Sequence, residues 1–306
     1  MRLRRIALAA SALAIAGCTA GGSTIAPAPT RTPQSPLTSG ALLAGVYEGN
    51  NAAALPLIRT FGAATGTHPE IVLSYSGWWV PFDTAIANQE HASGATQLIQ
   101  MDPQGVSLTM IVAGKYNAYL RSYAEAVKAF GHPVILGFGH EMNGTWYGWG
   151  KGRTKPAVFI AAWRHIVTLF RKAGASNVTW LWDVNSTNVA RGSLQAWWPG
   201  TSWVGMVGVD GYYYFADDTF ATVFGGTITQ IRQFTSLPIL IAETAVGPNP
   251  NAVRQISGLA DGVTADHLRG LVWFDENQDD PPYHQAWKLT GSRLAAFREA
   301  VAQWGR

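Results

Sequence analysis

The sequence predicts an α/β fold: a single (β/α)8 barrel, the TIM-barrel architecture, placed after a signal peptide and a flexible tether. From residue 41 onward, short apolar runs alternate with helical patterns, as they do in parallel α/β folds. Eight such runs occur, and residues 41–306 have about the length of a typical barrel of ~250 residues. An open doubly wound sheet is the alternative, but no Gly-x-Gly-x-x-Gly turn follows the first run.

The predicted elements follow one another along the whole of this segment. The candidate strands are residues 41–47, 70–75, 95–100, 133–138, 177–182, 204–209, 238–242 and 270–274. Helical periodicity is clearest at residues 116–130, 156–173, 220–234 and 292–304. No repeat or internal linker indicates a second domain, so residues 41–306 are predicted to form one catalytic domain.

The amino-terminal residues have the pattern of an exported lipoprotein. Three arginines within the first five residues precede an apolar stretch, residues 6–16, that is too short for a convincing membrane span. Small residues then lead directly into Cys18, as at a bacterial lipoprotein cleavage site, although Ile15 replaces the usual leucine. The pattern predicts a signal peptide at residues 1–17 and a lipidated Cys18; the alternative is an ordinary secretory signal with a chance cysteine.

Residues 18–40 are predicted to be a tether. They are rich in Ser, Thr, Pro, Ala and Gly, and Arg31 is their one charged residue, so they cannot bury a core. Cys18 is the sole cysteine of the chain, which excludes an intramolecular disulfide. We therefore expect a lipoprotein on the outer face of a bacterial cell membrane, with partial secretion as an alternative.

The composition favours carbohydrate over nucleic acid as a partner. The chain is 13% charged and has 13 Trp, 10 Tyr and 12 Phe, a composition suited to stacking against sugar rings, although many aromatics must fill the core. The net charge of +3 is small and no basic stripe is present, so nucleic acid is not an expected partner.

The most informative segment is residues 133–150, PVILGFGHEMNGTWYGWG. Its apolar run is the fourth strand, and Glu141 lies just past the carboxyl end, where barrels collect reactive side chains. Trp146, Tyr147 and Trp149 follow at spacings that match neither a helix nor a strand, so they do not form a single core face. The alternative is a structural carboxylate beside core tryptophans.

The segment resembles a known catalytic motif. The motif residues are His140, Glu141, Met142, Asn143, Gly144, Trp146 and Tyr147. They resemble the acid/base motif of glycoside hydrolase family 26, which contains β-mannanases and related endo-glucanases and xylanases. The resemblance covers nearly all of residues 41–306. It implies that Glu141 is the acid/base and that His140, Asn143 and Trp146 support it or bind substrate.

A second carboxylate follows another apolar strand. Glu243 stands at the end of residues 238–242, on the same rim of the predicted barrel as Glu141. Two carboxyls placed there can attack an acetal from opposite sides, one as acid and one as nucleophile. Residues 241–245, IAETA, resemble the nucleophile strand of the family, which implies that Glu243 is the nucleophile. A structural strand-end carboxylate is the alternative.

The resemblance also implies supporting residues. Asp210 and Tyr212 match an Asp-x-Tyr pattern that orients the nucleophile, and Trp273 matches a tryptophan that forms the floor beneath the reacting sugar. Trp78 and Trp79 follow the second strand and could form outer subsites, or equally a hydrophobic plug at the rim.

Two positions depart from the family pattern. Gly137 stands where an arginine is usual, which puts the hydrogen bonds under the acid in doubt. Ser76 to Trp79 replace a substrate-binding histidine found in some mannanases, which weakens the case for mannan.

Other chemistries fit poorly. Position 144 is glycine, so the second histidine of a zinc-protease His-Glu-x-x-His motif is missing, and no Gly-x-Ser-x-Gly elbow occurs. We expect no cofactor and no catalytic metal.

The sequence thus predicts a retaining endo-β-glycosidase that hydrolyses a plant-type β-glycan. The leading substrate is β-1,4-mannan, which would make the protein a mannan endo-1,4-β-mannosidase. A mixed-linkage β-glucanase (lichenase) and a β-1,3-xylanase are the alternatives within the family. A non-catalytic glycan-binding lipoprotein is the alternative from another class, but binding alone needs neither Glu141 nor Glu243 as an acid/base pair. The expected partners are the polysaccharide and, through Cys18, the membrane, and we expect a monomer.

Overall fold

The computed structural model describes residues 40–49, 54–187, 190–278 and 285–304. Within these ranges eight parallel strands form a closed barrel in chain order, and the first strand pairs with the eighth. The predicted (β/α)8 barrel is therefore confirmed. The predictions for the signal peptide, Cys18 and the tether up to residue 39 lie outside the described residues.

Strands and helices alternate along the chain. The strands are β1 (Leu43–Tyr47), β2 (Ile71–Gly77), β3 (Thr96–Asp102), β4 (Val134–Phe138), β5 (Val178–Asn185), β6 (Met206–Asp210), β7 (Ile239–Thr244) and β8 (Gly270–Phe274). The helices are α1 (Ala54–Thr65), α2 (Thr84–Ala92), α3 (Leu108–Val112), α4 (Asn117–Phe130), α5 (Pro156–Ala173), α6 (Gly226–Arg232), α7 (Ala252–Ala265) and α8 (Gly291–Val301). Helices α3 and α4 both lie between β3 and β4, whereas short 3₁₀ turns lie between β5 and β6.

All eight strands lie where the sequence predicts them, but several extend further at their carboxyl ends. β3 continues to Asp102, β5 to Asn185 and β7 to Thr244. The apolar pattern stops where inward-facing polar residues begin, whereas the hydrogen bonds of the ladder join backbone groups and continue through those residues. The polar side chains at the strand ends are thus carried on the sheet itself.

The core lies between the barrel and its surrounding helices. Helix α4 shows how the sequence builds it: Leu120, Tyr123, Ala124, Val127 and Phe130 are buried on one face. Their spacing of three or four residues is the helical repeat. Several tryptophans are among the largest fully buried side chains as well, namely Trp163, Trp182, Trp273 and Trp287.

Helix ends are fixed by specific residues. Asp83 caps the start of α2, because its Oδ1 accepts hydrogen bonds from the backbone amides of Ala85 and Ile86, both at 3.0 Å. At the other end of a helix, Gly131 stops α4 in the left-handed conformation, with φ of 73°.

In the parts of the chain that the structure describes, no helix combines the length and apolar character needed to cross a bilayer.

One buried carboxyl group lies outside the carboxyl end of the barrel. Glu90 of α2 is 4% exposed and lines a small cavity of about 110 Å³ together with Ser76 and Gln97. Burial, followed by the charge of Asp83, raises the pKa of Glu90 to about 8, although a hydrogen bond with Gln97 opposes the rise. The side chain is therefore neutral at pH 7 and below.

We expect Glu90→Gln to raise the melting temperature by roughly 4 °C at pH 9, the scale of 1–2 kcal/mol in a domain of this size, and to change it little at pH 5. The pKa of Glu90 rises on folding from 4.5 to about 8. The stability that the neutral acid contributes is therefore complete below pH 4.5 and is lost as the pH rises through 8. Glutamine cannot ionise, so it avoids that loss.

Thermal unfolding followed by circular dichroism at both pH values measures the effect. Glu125→Gln, on the exposed face of α4, is the matched control. Equal shifts at pH 5 and pH 9, or in both variants, would contradict the assignment.

Candidate active site

The carboxyl ends of the strands open onto a cleft of about 640 Å³. Glu141 and Glu243 both line it, with Trp146, Tyr212 and Asn185 among its other side chains. A second cavity, of about 840 Å³, is lined by residues 40–42 and by side chains of α7 and α8. Among the described strands, none lines that second cavity with its carboxyl end, so the first cavity is the candidate site.

Glu141 lies in a strained turn directly after β4. Gly139 and Glu141 both have left-handed backbones, with φ of 57° and 52°, a conformation that glutamate rarely adopts. The turn is held by backbone hydrogen bonds, from the Glu141 amide to the Asp183 carbonyl at 3.0 Å and from the Gly144 amide to the Glu141 carbonyl at 2.9 Å. Strain that the surrounding structure maintains in this way is typical of functional sites.

The Glu141 carboxylate is fixed by one donor on each oxygen. The Asn185 side-chain amide donates to Oε1 and the Trp146 indole N–H donates to Oε2, both at 2.6 Å. Asn185 is held in turn by Asn143, whose side chain donates to the Asn185 carbonyl at 2.7 Å and accepts from its amide at 2.9 Å. Trp146 thus contacts Glu141 directly, and Asn143 acts on it through Asn185.

His140 is a buried cation beside the two carboxylates. Its Nδ1 lies 2.8 Å from Asp102 Oδ1, and its Nε2 lies 3.0 Å from the Tyr147 hydroxyl. Burial alone would lower the pKa of His140, but the charges of Asp102, Glu243 and Glu141 raise it to about 10. The ring is therefore protonated at neutral pH, and both of its nitrogens donate.

Glu243 is held at one oxygen and free at the other. The Tyr212 hydroxyl donates to Oε2 at 2.8 Å, and the Tyr75 side chain is also hydrogen-bonded to Glu243. Among the described residues Oε1 has no hydrogen-bond partner. Burial raises the pKa of Glu243. The positive charge of His140 opposes this rise and the charge of Glu141 adds to it, so that the pKa is about 7. A carboxylate with one oriented oxygen and one unpartnered oxygen suits a nucleophile.

Asp210 acts on Glu243 through the sheet and through its charge. Asp210 on β6 pairs in register with Glu243 on β7, and the backbone amide of Gly211 donates to the Glu243 carbonyl at 3.0 Å. The Asp210 side chain instead lies next to the Asp183 carboxyl, and neither oxygen of Asp210 has a hydrogen-bond partner among the described residues. Burial, together with surrounding carboxylates, raises the pKa of both Asp183 and Asp210 well above the usual range. A proton held between the two carboxyls would give each of them a partner.

Gln100 occupies the space that Gly137 leaves open. The Gln100 side chain donates to Oδ2 of Asp183, reaching from β3 to β5 past Gly137 on β4. A methyl group at position 137 would overlap the Gln100 amide. Gly208 makes room in the same way for the Asp183 carboxyl. Gly137 stands where the resemblance leads one to expect arginine, and the side chain of Gln100 fills the space that Gly137 leaves.

The aromatic residues divide between cleft and core. Trp146 is 45% exposed and lines the cleft. Trp78 is buried against Tyr116, Tyr119 and Phe138, as the rim-plug alternative requires. Trp79 is 58% exposed but lies outside the set of residues that line the cleft.

The structure corrects the prediction for Trp273. Its indole is fully buried, packs 5.1 Å from Phe297 of α8 and donates to the Trp287 carbonyl at 3.2 Å. Successive side chains of a strand point to opposite faces, so the next residue, Phe274, takes the inner position, where it stacks on Tyr47 at 4.6 Å. No surface of Trp273 is available to form the floor beneath a sugar.

Four residues of the site are absent from the sequence predictions. They are Tyr75, Asp102, Asp183 and Asn185, which lie at or near the carboxyl ends of β2, β3 and β5. The predicted strands 3 and 5 end at residues 100 and 182, before these polar positions. Extending the alternation by two or three residues past each apolar run would have found Asp102, Asp183 and Asn185.

Comparison with known families and proteins gives consistent matches. The model of Glycosyl hydrolase family 26 matches residues 94–254, more than half of the chain, and includes both Glu141 and Glu243. Among solved structures, a GH26 beta-mannanase from Bacteroides ovatus superposes with a TM-score of 0.64 at 15% identity, covering 86% of this chain and 88% of that one. At this identity the superposition supports the fold alone.

Curated relatives carry different names. Endoglucanase H of Acetivibrio thermocellus is 31% identical over 267 residues, which is 80% of this chain and 29% of the relative. The mannan endo-1,4-beta-mannosidase of Bacillus subtilis is 29% identical over 206 residues, 60% of this chain and 53% of the relative. The chain thus spans less than a third of the first relative and about half of the second.

We expect Asp183→Ala to lower the free energy of unfolding by about 1–3 kcal/mol, because it leaves the buried side-chain donor of Gln100 unpaired. Asp183→Asn should remain within about 1 kcal/mol of the wild type at pH 7, since its oxygen can accept from Gln100 while its amide donates to Asp210 in place of a shared proton. Urea unfolding measures both. Equal losses in the two variants would show that the pair shares no proton.

Proposed function

The chain belongs to glycosyl hydrolase family 26, and on that premise we propose that it is a retaining endo-β-glycosidase that cuts a plant-type β-linked polysaccharide. One observation carries the proposal. Glu141 and Glu243 line the same cleft and are held by separate sets of donors, so they can take different roles. A glycan-binding protein without activity would have no use for two carboxyls fixed in this way.

The proposed first step forms a covalent intermediate. Oε1 of Glu243 attacks the anomeric carbon, while Glu141 gives its proton to the glycosidic oxygen, so that bond breaks and the leaving sugar departs neutral. In the second step Glu141 takes a proton from water, and the water oxygen displaces Glu243 at the same carbon. Two inversions give net retention. Tyr212 and Tyr75 hold the nucleophile throughout, while Asn185 and Trp146 orient the acid/base.

The charge of His140 has a place in this mechanism. Glu243 must be ionised to attack, and its pKa of about 7 would lie higher still without the imidazolium. We therefore expect kcat/KM to fall as the pH drops below about 7. A neutral residue at position 140 should move that fall to higher pH.

We propose β-1,4-mannan as the substrate. The similarity to the mannan endo-1,4-beta-mannosidase of Bacillus subtilis supports this choice. Mixed-linkage β-glucan is the second candidate. It is favoured by the longer match to Endoglucanase H and by the segment Ser76 to Trp79, which replaces a substrate-binding histidine found in some mannanases.

A substrate screen with product analysis tests the proposal. The purified protein is incubated with galactomannan, glucomannan, barley glucan and β-1,3-xylan, and the first-formed anomer is followed by NMR. Release of the β-anomer from a mannan supports the full proposal, and activity on barley glucan alone selects the second candidate. First release of the α-anomer would rule out retention.

We expect Glu243→Gly to abolish hydrolysis and to regain turnover of an activated aryl glycoside when azide is added, with an α-glycosyl azide as product. Glu141→Ala should lower kcat on polysaccharide by ~10² to 10⁴, the scale of general acid catalysis, with a smaller loss of glycosylation rate on aryl glycosides that need no protonation. The two variants control for each other. If azide gave the β-product with Glu243→Gly, the nucleophile would be misassigned.

We also propose that Cys18 carries a lipid anchor and that the protein acts outside the cell, on the bacterial membrane. The support is the sequence before Cys18 and the absence of a second cysteine. Cys18→Ser should release active protein from the membrane or leave it unprocessed. Membrane fractionation and amino-terminal sequencing measure this, and a soluble wild-type protein that begins elsewhere than Cys18 would refute it.

A further inference from the structure

The loop after β6 presents an aromatic ring to the cleft. Phe215 is 68% exposed, more than any other large apolar side chain of the described residues, and it lines the cleft beside Tyr214, which is 47% exposed. A phenyl ring exposed to water lacks the stabilisation that burial of its apolar surface would give. Two exposed rings together on a cleft wall indicate a surface that another apolar face covers.

The backbone that carries these rings is held at both its amides and its carbonyls. The amides of Tyr214 and Phe215 both donate to Oδ2 of Asp218, each at 2.8 Å. From α7, the buried side chain of Gln255 donates to the Phe215 carbonyl at 2.7 Å. Phe215 is therefore exposed on a fixed backbone.

The neighbouring residues extend this bracing. The Asn251 side chain donates to the Ala216 carbonyl at 2.7 Å. On the other side, the Tyr213 amide donates to the Ala245 carbonyl at 3.0 Å, which continues the pairing of β6 and β7 beyond the end of β6. A loop ordered before binding loses little conformational freedom when a ligand arrives.

We propose that Phe215, with Tyr214, forms an outer subsite that stacks on the apolar face of a β-linked hexose ring of the polysaccharide. The inference rests on the proposed function and names a contact remote from the bond that is cut. Pyranose rings present flat C–H faces, and aromatic rings cover such faces. Trp146 follows β4 and Phe215 follows β6, so aromatic rings reach the one cleft from loops two strands apart. A polymer chain lying in the cleft can therefore contact both.

Chain-length kinetics test the subsite. The values of kcat/KM are measured for oligosaccharides of increasing length, cut from whichever polysaccharide the protein hydrolyses. Phe215→Ala should lower kcat/KM by about 10-fold on the polymer and the longer oligosaccharides, the scale of one aromatic contact, and leave the shortest cleaved oligosaccharide unchanged. Phe215→Tyr, which keeps the ring, should retain the activity. An equal loss at every length, or none at any, would overturn the proposal.

A second variant tests the bracing of the loop. Asp218→Ala keeps the ring but removes the acceptor shared by the two amides, so it should raise KM for long substrates while kcat stays near the wild-type value. Val253→Ala, which removes apolar surface from an exposed site on α7 outside the cleft lining, is the matched control and should change neither constant. A change in kcat alone would contradict a binding role.

A binding measurement separates this inference from the proposed reaction. Glu141→Gln and the double variant Glu141→Gln/Phe215→Ala are run through native gels that contain each polysaccharide. If a polysaccharide retards Glu141→Gln but not the double variant, the subsite is supported, even if the wild-type protein hydrolyses nothing. Equal retardation of both proteins, or of neither, in every gel overturns the subsite whatever the activity proves to be.

Discussion

The site depends on one electrostatic constraint: five carboxyl groups and one imidazole lie together, largely buried, at the carboxyl end of the barrel. They are Asp102, Glu141, Asp183, Asp210, Glu243 and His140. Burial and mutual repulsion both oppose ionisation of so many acids. Two features relieve the repulsion. His140 carries a positive charge because Asp102 and its neighbours raise its pKa to about 10 despite burial, and burial raises the pKa of Asp183 and Asp210, which favours their neutral forms.

The barrel provides positions at which this cluster can be held. Residues at the ends of adjacent strands lie side by side on a rigid ladder, so their side chains meet without the freedom of loop residues. Gly137 and Gly208 leave the interior volume that Gln100 and Asp183 fill. The exception is Glu141, which sits past its strand in a left-handed turn. Fixed donors on both carboxylate oxygens and backbone bonds around the turn offset that strain.

The fold and the two main carboxylates could be predicted from the sequence, because alternation of apolar runs with helical patterns defines a barrel and strand ends define its reactive rim. The partners of those carboxylates lie outside the apolar pattern. Asp183 and Asn185 follow an apolar run within the same strand, so only an extension of the alternation past that run includes them. The error at Trp273 has a different cause. In β8, GLVWF, no polar residue marks which side chains face inward, so the sequence does not reveal that Phe274 does.

The cluster of carboxyl groups and the loop that carries Phe215 differ in how many residue substitutions they can accept. Within the cluster, the charges of His140 and Glu141 act on the pKa of Glu243, so replacing either residue alters the protonation of Glu243 as well as the local contacts. Phe215 stands on a loop that Asp218, Gln255 and Asn251 hold, and none of these three belongs to the cluster. On the proposed function, recognition of the sugar chain can therefore vary at this loop without altering the ionisation of Glu243. That separation suits a barrel whose rim loops select the substrate over a fixed catalytic centre.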